Sequence, residues 1–251
     1  MHQPIDRFGE LNSMMTWTAT AAKREGITRE EADKWAMRSH QKATTAIDSG
    51  RFRGETVPVT IPQKKGEPLI IDTDETPRRD TSLEKLAKLA VVYPDGVCTA
   101  GNSSTEDDGA AAVVLTTEEK AKELGIEPMA HFVSCVVAGD EPRLTYPAVP
   151  RAVNKALKKA GLNIDQMDLI EIQEAFAVQA LADAKMMRIP EEDYEINVNG
   201  SGISLGHPIG ATGAMQLTTL LHEMSRRDSR YGLAAICGGG GLAICAVVER
   251  G

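Results

Sequence analysis

Residues 199–213 read NGSGISLGHPIGATG, and residues 237–241 read CGGGG. Each segment places one reactive side chain, His207 or Cys237, among glycines. Glycine lets the backbone approach a ligand closely and adopt positive φ, so a side chain with glycine neighbours can be presented to a small, tightly held molecule. The two segments therefore predict a functional site, and strands and helices are predicted on either side of them.

Two plainer interpretations apply to these segments. His207 and Pro208 could simply open a helix, since a proline is tolerated in the first helical turn. Cys237 ends an apolar run and could be an ordinary buried thiol. The four glycines after it favour a site, because each weakens a strand by roughly 0.5–1 kcal/mol relative to alanine. A closely approaching ligand would explain them.

The carboxy-terminal part of the chain alternates between strand and helix patterns around these segments. The strands are predicted at residues 131–137, 169–172, 196–198, 233–236 and 242–248, and the helices at 150–160, 175–187 and 214–224. This alternation predicts an α/β fold in which helices cover both faces of one sheet. The reactive residues then fall just past strand ends, where such folds bind ligands.

The preceding residues have a different organisation. Residues 1–12 read as irregular, Met14 opens a helix, and the capping-box pattern from Thr28 to Glu31 starts a second helix. They are followed by a hairpin or two edge strands (57–61 and 69–71), a short helix (83–90), a polar loop (99–108), an apolar strand (110–115) and a helix (117–124). Because the 110–115 run is nearly continuous, we expect a strand buried on both faces.

Chemically, a neutral histidine near a thiol can act as a general base or hold a thiolate, and free N–H groups in a glycine run can bind an oxyanion. These groups suit acyl transfer. We also expect Cys237 to be more thiolate-like than Cys98, Cys135 and Cys245, which are read as structural.

The sequence resembles the thiolases, which comprise acetyl-CoA acetyltransferases and 3-ketoacyl-CoA thiolases. The matching segments are residues 99–104, 108–112, 174–177, 197–200, 206–213 and 237–240. The resemblance covers nearly the whole chain but only part of the family's length. It implies a carboxy-terminal part lacking the amino-terminal half that bears the nucleophilic cysteine. The implied domains are a loop-domain portion (1–107), a strand–helix unit of the amino-terminal domain (108–128) and a carboxy-terminal domain (129–251).

The same resemblance implies roles for individual residues. His207 would activate the nucleophile, Cys237 would move the substrate's α-proton, and the N–H of Gly239 would bind an oxyanion. Three further residues would contact the coenzyme A thioester, namely Ser104 near the pantetheine arm, Met14 near the acyl group and Arg78 near the nucleotide end. Arg78 could equally be a solvated surface charge, and Met14 a core residue.

Gln173 departs from the family pattern, which usually has asparagine and less often histidine at this position to hold an oxyanion-binding water. Glutamine keeps the amide but is one methylene longer. The substitution is either harmless or it moves the water or the acyl pocket, and misplacement on the order of 1 Å can cost ~100-fold in rate.

Composition limits the partners. A chain of 251 residues with 42% apolar and 25% charged residues is ordinary for a globular protein, and its formal charge of −8 argues against nucleic acid or an anionic membrane as partner. The four cysteines form neither a metal pattern nor a disulfide framework, and no signal peptide is visible, so we expect a cytoplasmic protein without metal or resident cofactor.

The expected activity is condensation or thiolytic cleavage of 3-oxoacyl-CoA, as the carboxy-terminal subunit or portion of a thiolase. The expected partners are acyl-CoA and a chain that carries the thiolase amino-terminal half, which makes the assembly a hetero-oligomer. A thiolase-derived acyl-CoA-binding or scaffold protein without catalysis is the alternative.

Overall fold

A computed structural model describes residues 13–142, 146–190 and 196–251. The irregular start expected at residues 1–12 lies outside these ranges. At the start of the described chain, α1 (Met14–Glu25) begins after Ser13, and α2 (Arg29–Asp48) begins after the capping box of Thr28 and Glu31. Both helices are confirmed.

Small elements connect these helices to the rest of the chain. The predicted hairpin forms as β1 (Val59–Ile61) paired antiparallel with β2 (Leu69–Ile71), and α3 (Leu83–Ala87) begins after Ser82. A 3₁₀ turn spans Arg51–Gly54, and α4 (Glu118–Leu124) begins after Thr117. The polar segment from residue 99 to 108 contains neither helix nor strand, as expected for a loop.

The strand predicted at residues 110–115 is wrong. These residues form no strand, and Val114 and Leu115 are 94% and 69% exposed. The apolar run lacks a hydrogen-bonded neighbouring strand among the described residues, and an apolar sequence alone does not supply that neighbour. The consequence is an exposed apolar segment in front of α4.

The larger sheet has four strands, namely β3 (His131–Gly139), β4 (Leu169–Ile172), β5 (Tyr231–Gly238) and β6 (Leu242–Glu249). Their order is β3-β6-β5-β4. The β4–β5 pair is parallel, whereas β5–β6 and β3–β6 are antiparallel. The strand predicted at residues 196–198 is reduced to a single parallel bridge between Ile196 and Ile170, followed by a turn at Asn197 with φ of 47°.

Helices cover both faces of this sheet, which confirms the predicted α/β architecture. The helix α5 (Ala148–Ala160) packs with one face and α8 (Thr212–Arg227) with the other. The alternation along β5 explains this, because Leu233 and Ala235 belong to the main core, while Ala234 packs in a second cluster with Leu220 and Met224 of α8. The helix α6 (Ala177–Met187) adds to the main core and begins two residues later than predicted.

Candidate active site

His207 lies in the loop between the short helix α7 (Gly202–Leu205) and α8. Its Nδ1 is 2.7 Å from the hydroxyl oxygen of Thr212, and this hydroxyl donates to the Pro208 carbonyl at 2.9 Å. Since the hydroxyl hydrogen is used at Pro208, Thr212 accepts from Nδ1–H of His207. This tautomer leaves Nε2 of His207 with its lone pair, ready to accept a proton.

Asp107 anchors the backbone of His207. The backbone N–H of His207 lies 3.1 Å from Oδ2 of Asp107 and 3.2 Å from the Thr105 carbonyl, and Thr105 also donates its hydroxyl to Asp107 at 2.8 Å. Partial burial lowers the pKa of His207, and the nearby Asp107 carboxylate acts in the opposite direction. The imidazole is therefore neutral at neutral pH and competent as a base.

Gln173 follows the end of β4 and is almost completely buried. Its backbone N–H donates to the Ala235 carbonyl at 3.0 Å, and its Nε2 has no hydrogen-bond partner among the described residues. Gly202 permits this position, because a Cβ there would lie 2.9 Å from Cδ of Gln173. The side-chain amide is therefore a buried donor with free capacity.

A buried network fixes the segment that carries Gln173. The carboxylate of Glu174 accepts from Trp35 Nε1 at 3.0 Å, Asn197 Nδ2 at 3.0 Å and Ser39 Oγ at 2.6 Å. Asn197 also pairs with the backbone N–H and carbonyl of Ile172, at 2.8 and 2.9 Å. The helix α2 thus holds the end of β4 through hydrogen bonds to a buried charge, which are among the stronger ones in proteins.

Cys237 is the penultimate residue of β5 and is half-buried. Burial, and after it the carboxylate of Asp183, raises the pKa of its thiol to about 12. The expectation that Cys237 would be unusually thiolate-like is therefore wrong for the described structure. His207 does not counteract this, because no hydrogen bond between described side chains joins the two residues.

The glycines after Cys237 have partly structural reasons. Gly240 and Gly241 have φ of 86° and 75° in the turn between β5 and β6, and a Cβ on Gly241 would lie 2.8 Å from the Asp140 carbonyl. These two glycines are explained without a ligand. Gly239 is exposed and has nothing within 4 Å of the position of a Cβ, so it is the open position of the turn.

Two of the three predicted coenzyme A contacts lie near these groups. Met14 lines a cavity together with Phe176 and Cys237. Ser104 donates its backbone N–H to the Ala175 carbonyl at 2.9 Å, which places it beside the segment after Gln173.

Arg78 lies apart, at an open groove of about 680 Å³ that Thr105 and Asp107 also line. Its guanidinium is exposed, while its backbone N–H donates to Nδ1 of His40 at 3.2 Å. The same groove is lined by five carboxylates, from Asp74, Glu75, Glu106, Asp107 and Asp108. This acidic surrounding is unfavourable for a phosphate, so the geometry gives Arg78 less support than Met14 or Ser104.

Sequence reasoning missed several polar residues of the site. Asp107 and Thr212 lie in loop-like or helix-start sequence, where nothing distinguishes them from solvated residues. Gln179 and Asp183 carry a detectable signal, because they interrupt the otherwise apolar inner face of α6 with i, i+4 spacing.

The other three cysteines lie away from the candidate site, and the described residues form neither a metal site nor a membrane-spanning helix. Cys98 and Cys245 are buried in the main core, and Cys135 is exposed on β3. Within the described ranges no group of three or more His, Cys, Asp and Glu residues is placed to hold a metal ion. No helix in the described part of the chain is long and apolar enough to span a membrane.

Comparison with known proteins identifies two matching family models. The model described as "Thiolase, C-terminal domain" matches residues 126–250, and "Thiolase, N-terminal domain" matches residues 6–119. The expectation that the amino-terminal domain is missing is therefore not supported, because sequence of both domains is present. The predicted boundaries at residues 107 and 128 stay a prediction.

Similar proteins include an acetyl-CoA acetyltransferase of Pseudomonas aeruginosa, 47% identical over 98% of this chain and 62% of its own length. A beta-ketoadipyl-CoA thiolase of Acinetobacter baylyi is 44% identical over 96% of this chain and 60% of its own length. The crystal structure of human mitochondrial 3-ketoacyl-CoA thiolase is similar with a TM-score of 0.88 and 36% identity, over 98% of this chain and 63% of that one. This chain thus spans about three fifths of the length of these relatives, and it belongs to the thiolase family.

Proposed function

We propose that this chain supplies the acid–base groups for condensation or thiolytic cleavage of 3-oxoacyl-CoA. The observation that carries the proposal is the 2.7 Å contact between Nδ1 of His207 and the Thr212 hydroxyl, which itself donates to the Pro208 carbonyl. This arrangement favours the tautomer in which Nε2 remains a base. The relatives named above include an acetyl-CoA acetyltransferase and a beta-ketoadipyl-CoA thiolase, which supports this reaction class.

In the condensation direction, Nε2 of His207 takes the proton of a nucleophilic thiol, and the thiolate attacks the thioester carbon of an acyl-CoA. The C–S bond to coenzyme A breaks, and the leaving thiolate receives the proton from His207. Cys237, as its thiolate, then removes a proton from the α-carbon of a second acyl-CoA. The carbanion attacks the carbonyl carbon of the acylated thiol, so that a C–C bond forms and the acyl–enzyme C–S bond breaks. The released thiolate takes the proton that Cys237 holds, which restores both groups. In cleavage, Cys237 returns its proton to the α-carbon.

Oxyanions develop on both carbonyl oxygens during these steps. The free Nε2 donor of Gln173 supports a role in holding a water at one of them, together with His207. The exposed turn position of Gly239 supports donation of its backbone N–H at the other. In this proposal Ser104 contacts the pantetheine arm, Met14 the acyl group and Arg78 the nucleotide end of coenzyme A, with no resident cofactor.

We further propose that the nucleophilic cysteine comes from a partner chain, in a hetero-oligomer. The four cysteines of the sequence offer no second thiol at the site, since Cys98 and Cys245 are core residues and Cys135 faces outward from β3. The exposed apolar side chains of Val113, Val114 and Leu115 supply a surface that a partner would cover. A cytoplasmic location stays a prediction.

The test compares the purified chain with the same chain supplemented by a protein carrying the first part of a thiolase. We expect thiolysis of acetoacetyl-CoA only in the mixture, and its loss when His207→Ala or Cys237→Ala is introduced. Thiolysis by the isolated, monodisperse chain would refute the partner while keeping the activity. Absence of thiolysis in the mixture, despite a complex seen by size-exclusion chromatography, would refute the activity.

A non-catalytic acyl-CoA-binding protein is the second candidate, and the state of Cys237 favours it. A thiol with a pKa of about 12 is almost entirely protonated at neutral pH, so little of the thiolate that removes an α-proton is present. Acyl-CoA binding measured by calorimetry, combined with a complex that lacks thiolysis, would support this alternative.

A further inference from the structure

A small cavity lies where α1, α6 and the end of β5 meet. Cys237 lines it, and its volume of about 10 Å³ is close to the space that a single water molecule requires. Met14, Ala21, Tyr146 and Phe176 are apolar or aromatic residues of its wall. A cavity with only such walls would stay dry, so its polar groups decide what it can hold.

Two polar side chains line the cavity and have unsatisfied atoms. Trp17 Nε1, a hydrogen-bond donor, and Gln179 Oε1, an acceptor, have no partner among the described residues. Trp17 is 8% exposed and Gln179 is 3% exposed, so bulk water does not satisfy either atom. An apolar occupant would leave both unpaired, whereas a molecule that both accepts and donates would satisfy them.

A hydrogen bond to Asp183 fixes the orientation of the Gln179 side-chain amide. Its Nε2 donates to Oδ2 of Asp183, which lies one turn further along α6 and is fully buried. This bond uses the donor end of the amide and leaves Oε1 as the acceptor. Burial raises the pKa of Asp183 itself, and its carboxyl group is the second cause, after burial, of the raised pKa of the Cys237 thiol, so the pair lies within electrostatic reach of Sγ.

We propose that Trp17 and Gln179 hold one water molecule against the thiol of Cys237 and are positioning residues for it. The water accepts from Trp17 Nε1–H and donates one hydrogen to Gln179 Oε1. Its second hydrogen is available to the Cys237 thiolate that removes the α-proton, and its remaining lone pair is available to the S–H group that forms when the thiolate has taken that proton. The water offsets part of the effect of burial on this thiol.

The catalytic meaning of this water rests on the proposed function, but its presence and its effect on the thiol do not. A crystal structure of the full chain at about 1.5 Å resolution should show a water within hydrogen-bonding distance of Trp17 Nε1 and Gln179 Oε1. A dry cavity at that resolution would overturn the proposal.

A second experiment follows the rate of Cys237 alkylation by iodoacetamide against pH, with peptide mass spectrometry to isolate this thiol. Trp17→Phe and Gln179→Leu should each move the profile to higher pH and slow alkylation about tenfold at a fixed pH near 9. Tyr146→Phe is the matched control. It keeps the ring in the cavity wall and loses only a hydroxyl that donates to Glu25 at 2.9 Å, so its profile should match wild type.

Gln179→Leu also deprives the buried Asp183 of its donor, and melting curves decide whether that variant folds. If it does not, Trp17→Phe decides alone. A wild-type alkylation profile in every folded variant would overturn the proposal, whatever the outcome of the thiolysis test. A shifted profile in a complex that shows no thiolysis would keep the water and refute only the proposed function.

Discussion

A Cβ on Gly206 would lie 2.7 Å from Cγ of Asp107, the residue whose carboxylate receives the backbone N–H of His207. Gly206 also has φ of 87°, a conformation that is strained for other residues. Gly206 is therefore required for two reasons: its backbone has positive φ, and a side chain at this position would clash with Asp107.

We expect Gly206→Ala to lower the free energy of unfolding by about 1–3 kcal/mol, because it combines positive φ with a forced shift of Asp107. Urea unfolding measures this change. Gly210→Ala is the control, since a Cβ there meets nothing within 4 Å, and its effect should stay within about 0.5 kcal/mol. Equal stability of the two variants would contradict the assignment.

The second prediction concerns the tautomer of His207. Thr212→Val removes the hydroxyl that accepts from Nδ1–H, so Nε2 is no longer selected as the base, and we expect about a 10–100-fold loss of kcat in the assembled enzyme. Thr218→Val is the control on the same helix, because it loses only a hydroxyl that donates to the Ala214 carbonyl at 2.8 Å. Steady-state thiolysis of acetoacetyl-CoA compares them, and equal rates would disprove the role of Thr212.

The third prediction asks whether Gln173 holds an oxyanion-binding water. Gln173→Ala removes the free Nε2 donor and should lower acetoacetyl-CoA turnover by about 10–100-fold, since a water-mediated contact can partly relax. Gln173→Asn keeps the amide and should raise turnover or shift the preferred acyl group. If both variants match wild type with short and long acyl-CoAs, Gln173 does not hold the oxyanion.

The fourth prediction concerns acid stability. Burial, and then the nearby Arg78, lowers the pKa of His40 from 6.5 to about 4. Between these values the unfolded chain binds more protons than the folded one, so stability falls as the pH drops from about 6.5 to 4. Protonation at Nδ1 also breaks the bond from the Arg78 N–H.

We expect this residue to contribute about 1–3 kcal/mol to the acid-dependent loss of unfolding free energy. His40→Gln should flatten the stability profile between pH 6.5 and 4 in denaturant titrations. His131→Gln, at the exposed start of β3, serves as the control. An unchanged slope in His40→Gln would refute the linkage.

Local sequence predicted those elements that local interactions determine. The capping box of Thr28 and Glu31 starts α2 as expected, because its hydrogen bonds join residues three positions apart. The α/β sheet was also predictable, since the apolar patterns of β3 to β6 alternate with helical ones. The strand predicted at residues 110–115 was wrong for the opposite reason. A strand needs a neighbouring strand to pair with, and its own sequence does not contain that neighbour.

The sequence by itself determined which residues are candidates for chemistry, because glycines around His207 and Cys237 let the local backbone adopt positive φ and approach a ligand closely. Only the tertiary structure decided their chemical states. The tautomer of His207 depends on Thr212, five residues later at the start of α8, and its anchor Asp107 comes from a loop one hundred residues earlier. The raised pKa of Cys237 depends on burial and on Asp183 of a neighbouring helix. Desolvation and through-space charge are properties of the packed chain, so no local pattern could have shown them.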